Sequence, residues 1–148
     1  LLVGATEVGQ PVLLGGGSQM VAVLALALAS VRHEEREGLS SSVSIGTTSW
    51  LAKESICSVS GKAAIERLMD LVGKHFDVRL LGLSSGLHFH SSAFKELRDY
   101  ELGYVKEGVG AGGLSLLAQL SGVSINQLMK ACELAMEDLI AQPNEACR

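Results

Sequence analysis

The sequence predicts an α/β protein: a three-layer, Rossmann-like parallel sheet flanked by helices, with C-terminal helices completing a smaller subdomain. Three observations carry this. Short apolar, strand-like runs alternate with helical patterns three times in succession. Each run ends in a turn rich in glycine, serine or threonine, and the apolar run from Met20 to Ala29 reads as a helix that must be covered on most sides. Strands separated by helices pair in parallel, because a parallel neighbour needs a crossover connection, and the crossovers then cover the sheet.

The elements follow in order. Leu1-Leu2-Val3 is an apolar opening without a methionine that would suit the middle of a strand, as in a fragment or a processed product. Pro11 to Leu14 reads as the first strand, bounded by Gly15-Gly16-Gly17; Ser18 stands where an N-cap belongs, and Gln19 to Val31 is helical by its Ala, Leu and Met content. Arg32 to Gly38 reads as a solvated exit and Leu39-Ser40-Ser41-Ser42 as a loop. Val43-Ser44-Ile45 alternates and ends at Gly46-Thr47-Thr48, a second strand with its turn. Ser49 to Val59 fits neither period. From Ser60, the spacing Ile65, Leu68, Met69, Val72 marks one helical face, with Gly73 as the stop. The third strand is read as Val78 to Leu83, closed by Ser84-Ser85-Gly86. Ala93 to Tyr100 is a short helix capped by Ser91 or Ser92. The stretch Gly103 to Gly113 holds too many glycines for a stable element and leads into a helix at Leu114 to Leu120. Ser124-x-x-Gln127 is a capping box opening a last helix, whose face is Ile125, Leu128, Met129, Cys132, Met136 and Leu139 and which Pro143 ends.

Composition narrows the function classes. A chain of 148 residues, 47% hydrophobic and 19% charged, is long and apolar enough to fold as one domain. Its net charge of −4 is interspersed, with no basic stripe to displace counterions, so nucleic acid is not an expected partner. The longest apolar run falls short of the roughly 20 residues that span a bilayer, and it lacks a signal peptide's position and basic flank, so no membrane is expected either. Cys57, Cys132 and Cys147 are odd in number and widely spaced, which indicates neither a disulfide framework nor a zinc site and points to a cytoplasmic protein.

Ligands of such sheets bind beyond the strands' C-terminal ends. Gly15-Gly16-Gly17-Ser18-Gln19 joins a strand to a helix, where backbone N–H groups meet an anion, although the same glycines also serve a plain tight turn. Lys106-Glu107-Gly108-Val109-Gly110-Ala111-Gly112-Gly113 places a carboxylate on a segment with little side-chain bulk. In apolar surroundings such a carboxylate suits a general base; in a solvated loop it does nothing, and composition leaves the two readings even. Thr47 and Thr48 offer hydroxyls at a strand end, a placement also common without function. His88 and His90 would share a face of an extended segment but have no third metal ligand at a supporting spacing. Trp50 is read as packing, and Cys57 has no base near it in sequence.

These segments, in this order, resemble the C-terminal half of the nicotinate-nucleotide–dimethylbenzimidazole phosphoribosyltransferases, and more closely that family's archaeal and cyanobacterial relatives. Gly9 to Met20 looks like the relatives' strand that leads into Gly-Gly-Thr-Gln-Met, and Val43 to Trp50 like the strand ending in Gly-Thr-Thr-Arg-Trp. Tyr100-Glu101-x-Gly103-Tyr104-Val105-Lys106-Glu107-Gly108-Val109-Gly110-Ala111-Gly112-Gly113 matches the relatives' most distinctive motif, which reads Gly-Glu-Gly-(Thr/Ser)-Gly-Ala-Ala in the characterised enzymes. The similarity runs from about Gly9 to Leu139. It departs at Ser49, where the relatives carry arginine, and at Gly16-Gly17-Ser18, where the characterised enzymes have Asp-Gly-Phe.

The resemblance implies a pentosyltransferase working without metal or cofactor. A ring nitrogen of dimethylbenzimidazole, or a similar azole, displaces nicotinate at C1′ of nicotinate mononucleotide and gives α-ribazole 5′-phosphate for the cobalamin lower ligand. Glu107 aligns with the glutamate that takes the proton from the other ring nitrogen. Gly16, Gly17, Ser18, Gln19, Thr47, Thr48, Lys106, Gly108 and Gly110 align with substrate-binding positions. The resemblance further implies a homodimer, and a chain, 1–148, that is the C-terminal part of one domain, with the phosphate loop and base pocket upstream, so that this stretch alone would not turn over. A non-catalytic nucleotide- or base-binding relative on the same scaffold is the alternative.

Overall fold

The structure, a computed structural model, describes residues 1–53, 62–102 and 110–141. Its elements are α1 (Leu2–Glu7), β1 (Val12–Gly15), α2 (Ser18–Ser30), a 3₁₀ turn (His33–Glu35), α3 (Arg36–Ser42), β2 (Val43–Thr47), α4 (Ser49–Lys53), α5 (Ala64–Phe76), β3 (Leu81–Ser84), α6 (Lys95–Glu101), α7 (Ala111–Leu120) and α8 (Ile125–Ala141). The strands form one parallel sheet in the order β1-β2-β3. Val12 pairs with Val43 and Gly15 with Gly46, while Ser44 pairs with Leu81 and Thr47 with Ser84.

Successive crossovers of one hand put their helices on one face of such a sheet. Accordingly α2 and α5 pack on each other on one side, while α7 lies across all three strands on the other. The predicted three-layer parallel α/β architecture is the one observed. The main core is Val21, Leu24 and Leu28 of α2 with Leu39, Val43 and Ile45, all buried, and the predicted α5 face of Ile65, Leu68, Met69 and Val72 packs against it. Each fully buried Leu contributes roughly 1.5–3 kcal/mol. A second, smaller core joins Leu87, Phe89 and Leu97 to Trp50, Tyr100 and the α8 residues Leu128, Met129, Cys132 and Met136. This is the subdomain that the C-terminal helices complete.

Several local expectations are corrected. Leu1-Leu2-Val3 is not strand: α1 runs from Leu2, which packs against the main core. Ser18 is the first residue of α2 rather than its cap; Gly17 holds the N-cap position, and no side chain caps this helix. Leu39 to Ser42 is helix, not loop. Its serine hydroxyls donate back to Glu37 O and Gly38 O at 3.1, 3.0 and 2.9 Å, so a loop-like composition is satisfied inside α3.

Gly73 does not stop α5. The helix runs to Phe76 and Asp77 takes the left-handed turn at φ 54°. Gly73 instead lets the chain fold back, since a Cβ there would lie 2.8 Å from Val78 O. β3 begins at Leu81 rather than Val78, although Val78 and Leu80 still pack on the core. α6 begins at Lys95, with Ser92 Oγ accepting from Phe94 N at 3.2 Å. Ala111, Gly112 and Gly113 are the first turn of α7, not part of a structureless stretch. The capping box at α8 is formed: Gln127 N donates to Ser124 Oγ at 3.3 Å and Ser124 N to Gln127 Oε1 at 2.9 Å. Leu139 leaves the predicted buried face and is exposed. Pro143, Cys57 and Cys147 lie outside the described residues.

Candidate functional site

The candidate site is the C-terminal edge of the sheet, where three stretches far apart in sequence meet. At the end of β1, Gly16 N donates to Gly46 O at 2.8 Å and carries the β1–β2 pairing one residue past the strand. At the end of β2, Ser85 N donates to Thr47 O at 2.9 Å and does the same for β3. Gly16, Gly17, Thr47 and Thr48 are buried in these extensions, while Ser18 and Gln19 stand exposed in the first turn of α2.

The third stretch is the start of α7, and glycine decides how near it comes. A Cβ on Gly112 would lie 2.5 Å from Thr47 Cα and 2.6 Å from Thr48 N; one on Gly113 would lie 2.5 Å from Gly15 Cα. Real side chains do not tolerate such separations from backbone, so only glycine at both positions lets α7 seat its first turn on the ends of β1 and β2. Gly15 is the reciprocal partner, its own Cβ position lying 2.9 Å from Gly113 Cα. Gly110 opens this helix and is exposed, with Leu114 N donating to its carbonyl at 2.8 Å. The structure thus brings together Gly16, Gly17, Thr47, Thr48 and Gly110. Lys106, Glu107 and Gly108 lie outside the described residues.

Two buried hydroxyls at this edge, Thr47 Oγ1 and Ser85 Oγ, have no hydrogen-bond partner among the described residues. A buried hydroxyl left unpaired costs about 1–3 kcal/mol, so each orphan marks a place where a polar partner fits. Thr47 also lines a cavity of about 570 Å³ between α5 and the β2–β3 edge. Ser85 was not singled out in the sequence, because a serine closing a strand carries no signal of its own.

The remaining sequence candidates sort plainly. Trp50 packs, 5.5 Å from Tyr100 edge-on and 6.0 Å from Phe89. His88 and His90 do share a face, their rings stacked at 4.7 Å and 18°. Cys132 is half-buried in the smaller core, and this burial, followed by the charge of Glu133, pushes its thiol up, which keeps it protonated and unreactive. No helix among the described residues is long and apolar enough to cross a membrane.

No family model matches the chain, and no solved structure matches it. Among curated proteins, the chain is 59% identical over 95% of its length to a UPF0284 protein of Prochlorococcus marinus (strain MIT 9313), covering 35% of that protein. It is 54% identical over 89% of its length to a UPF0284 protein of Parasynechococcus marenigrum (strain WH8102), covering 33% of it. A UPF0284 protein of Picosynechococcus sp. (strain ATCC 27264 / PCC 7002 / PR-6) is 36% identical over 89% of the chain. The chain therefore spans about a third of the length of the curated relatives it matches, and its homologues are cyanobacterial UPF0284 proteins.

Proposed function

We propose that this chain supplies the C-terminal part of an enzyme that transfers phosphoribosyl from nicotinate mononucleotide to dimethylbenzimidazole or a similar azole. The observation that carries the reading is the seating of α7: Gly112 and Gly113 bring the start of this helix, at Gly110, onto the strand ends that hold Gly16, Gly17, Thr47 and Thr48. The similarity to cyanobacterial UPF0284 proteins is in keeping with the sequence's resemblance to the cyanobacterial relatives of that transferase family.

In the proposed step, one azole nitrogen forms a bond to C1′ as the bond from C1′ to the nicotinate nitrogen breaks. That electron pair neutralises the pyridinium. Glu107 accepts the proton from the second azole nitrogen, which prevents positive charge from building on the ring. Gly16, whose own N–H is held by Gly46 O, lets a ligand approach the backbone closely; the N–H of Gly17, the uncapped first turn at Ser18 and Gln19, and the hydroxyls of Thr47 and Thr48 bind phosphate and ribose, while Lys106, Gly108 and Gly110 border the base. Thr47 Oγ1, without a partner among the described residues, supplies a donor that gives up no bond to them.

A second reading, a non-catalytic nucleotide- or base-binding protein, is favoured by one feature. At Ser49, where the resembled relatives carry arginine, the hydroxyl is engaged in donating to Leu87 O at 2.7 Å and no cation stands at that position. The test uses a chimera in which this chain replaces the matched third of the Prochlorococcus marinus (strain MIT 9313) relative. Incubated with nicotinate mononucleotide and dimethylbenzimidazole, it is expected to release nicotinate and form α-ribazole 5′-phosphate. Nucleotide binding without product from any azole, beside an active parent, would establish the binding reading instead.

A further inference from the structure

A second hollow, of about 440 Å³, opens beside the C-terminal end of β3. Trp50 and Lys53 of α4 line it, together with Ser85, His88, His90 and Glu101. The stretch that carries the histidines has no regular secondary structure, yet side chains from three different helices hold it. Ser49 Oγ donates to Leu87 O at 2.7 Å, Gly86 N donates to Gln119 Oε1 at 2.9 Å, and Phe89 N donates to the carboxylate of Glu101. Leu87 and Phe89 alternate inward into the smaller core, so His88 and His90 stand outward together, stacked on each other. His88 Nδ1 lies 3.1 Å from Gly86 O; a carbonyl can only accept, so Nδ1 carries the proton and the ring is oriented.

Loops are fixed in this way when the groups they present must be pre-positioned, because an ordered site loses less entropy on binding. The lining is rich in groups that can donate: Lys53, the serines Ser49, Ser84 and Ser85, of which Ser49 already donates to Leu87 O, and two imidazoles, of which His88 donates from Nε2 only as an imidazolium because Gly86 O holds its Nδ1 proton. The one carboxylate, Glu101, is engaged by the Phe89 N–H. Ser85 Oγ is buried and lacks a partner among the described residues. An oxygen-rich anion supplies acceptors to the lysine and the Ser85 hydroxyl, and to Nε2 of the histidines in their imidazolium form. A phosphoryl group, with three terminal oxygens and up to two charges, matches that number of donors better than a carboxylate does.

We propose that this hollow is a second anion site, which takes the phosphoryl group of a small molecule on Lys53, Ser85 and the His88–His90 pair. It does not rest on the transferase reading and uses neither Glu107 nor turnover. The test is proton NMR of the 148-residue chain titrated with inorganic phosphate at constant ionic strength, following the four histidines, assigned through histidine-to-glutamine variants. His88 and His90 are expected to shift saturably while His33 and His75 stay in place. Lys53→Ala and Ser85→Ala should each weaken binding about tenfold, the loss of one charge-assisted contact. Ribose 5-phosphate binding more tightly than inorganic phosphate assigns the site to a phosphorylated metabolite, and the reverse assigns it to the free ion. Four histidines moving together without saturation, or Lys53→Ala, an exposed change, leaving the affinity untouched, would overturn the proposal.

Discussion

A single methyl group tests the contact between α7 and the sheet. Gly112→Ala places a Cβ within 2.6 Å of three backbone atoms of Thr47 and Thr48, none of which can swing aside, so the helix must retreat. Urea denaturation should show a loss of about 1–3 kcal/mol. Gly110→Ala, two residues earlier, meets only Leu114 Cδ1 at 3.5 Å and should stay within about 0.5 kcal/mol of wild type. Equal effects at both positions would show that helix propensity, not close approach, governs this motif. Thr47→Val removes a buried hydroxyl that has no partner among the described residues, and the unliganded chain should gain roughly 1 kcal/mol in the same measurement while binding nucleotide less tightly. A loss of stability would mean that the hydroxyl is already paired. At this scale the sequence was half legible. The glycine motif around Gly110 stands out as a segment with little side-chain bulk, and Thr47 and Thr48 as hydroxyls at a strand end. That Gly15 faces Gly113, or that Ser85 is orphaned, depends on which strand lies under which helix, a relation between residues about 30 to 100 positions apart that no local pattern contains.

Periodicity found the elements and erred where composition imitated another state. Gly112 and Gly113 lower helix propensity by about 1 kcal/mol each relative to alanine, which is why the start of α7 read as loop; packing on the strand ends overrides that preference. The serines of α3 misled for the same reason, since their hydroxyls bond back into the helix. Gly73 looked like a stop, but Asp77 makes the left-handed turn while the glycine admits Val78 O. The capping box of α8, by contrast, is a local motif, and local motifs can be read directly. Ser124→Ala removes the acceptor for Gln127 N and should cost about 0.5–2 kcal/mol. Because α8 covers Phe89 and Leu87, near-ultraviolet dichroism from Trp50, which touches Phe89, should weaken before far-ultraviolet helicity does. Simultaneous loss of both signals would show that the smaller core has no independence from the main one.

For the whole molecule, alternation of strands and helices was enough to give the parallel sheet and its covering helices, because crossover geometry leaves few alternatives. What covers the outer face of α7 was not legible. Leu114, Leu117 and Leu120 are 69%, 54% and 69% exposed there, spaced along one side of the helix. Patches of this kind promote association, so sedimentation of the isolated chain should show concentration-dependent self-association that Leu114→Lys with Leu117→Lys weakens. The central claim concerns the carboxyl group three residues before Gly110. Its most direct measurement compares Glu107→Gln with the unsubstituted chimera, following nicotinate release and nucleotide binding together. A proton acceptor at that position predicts that α-ribazole 5′-phosphate formation falls by about 10²-fold or more while nicotinate mononucleotide still binds. Unchanged turnover in the glutamine variant would contradict the account.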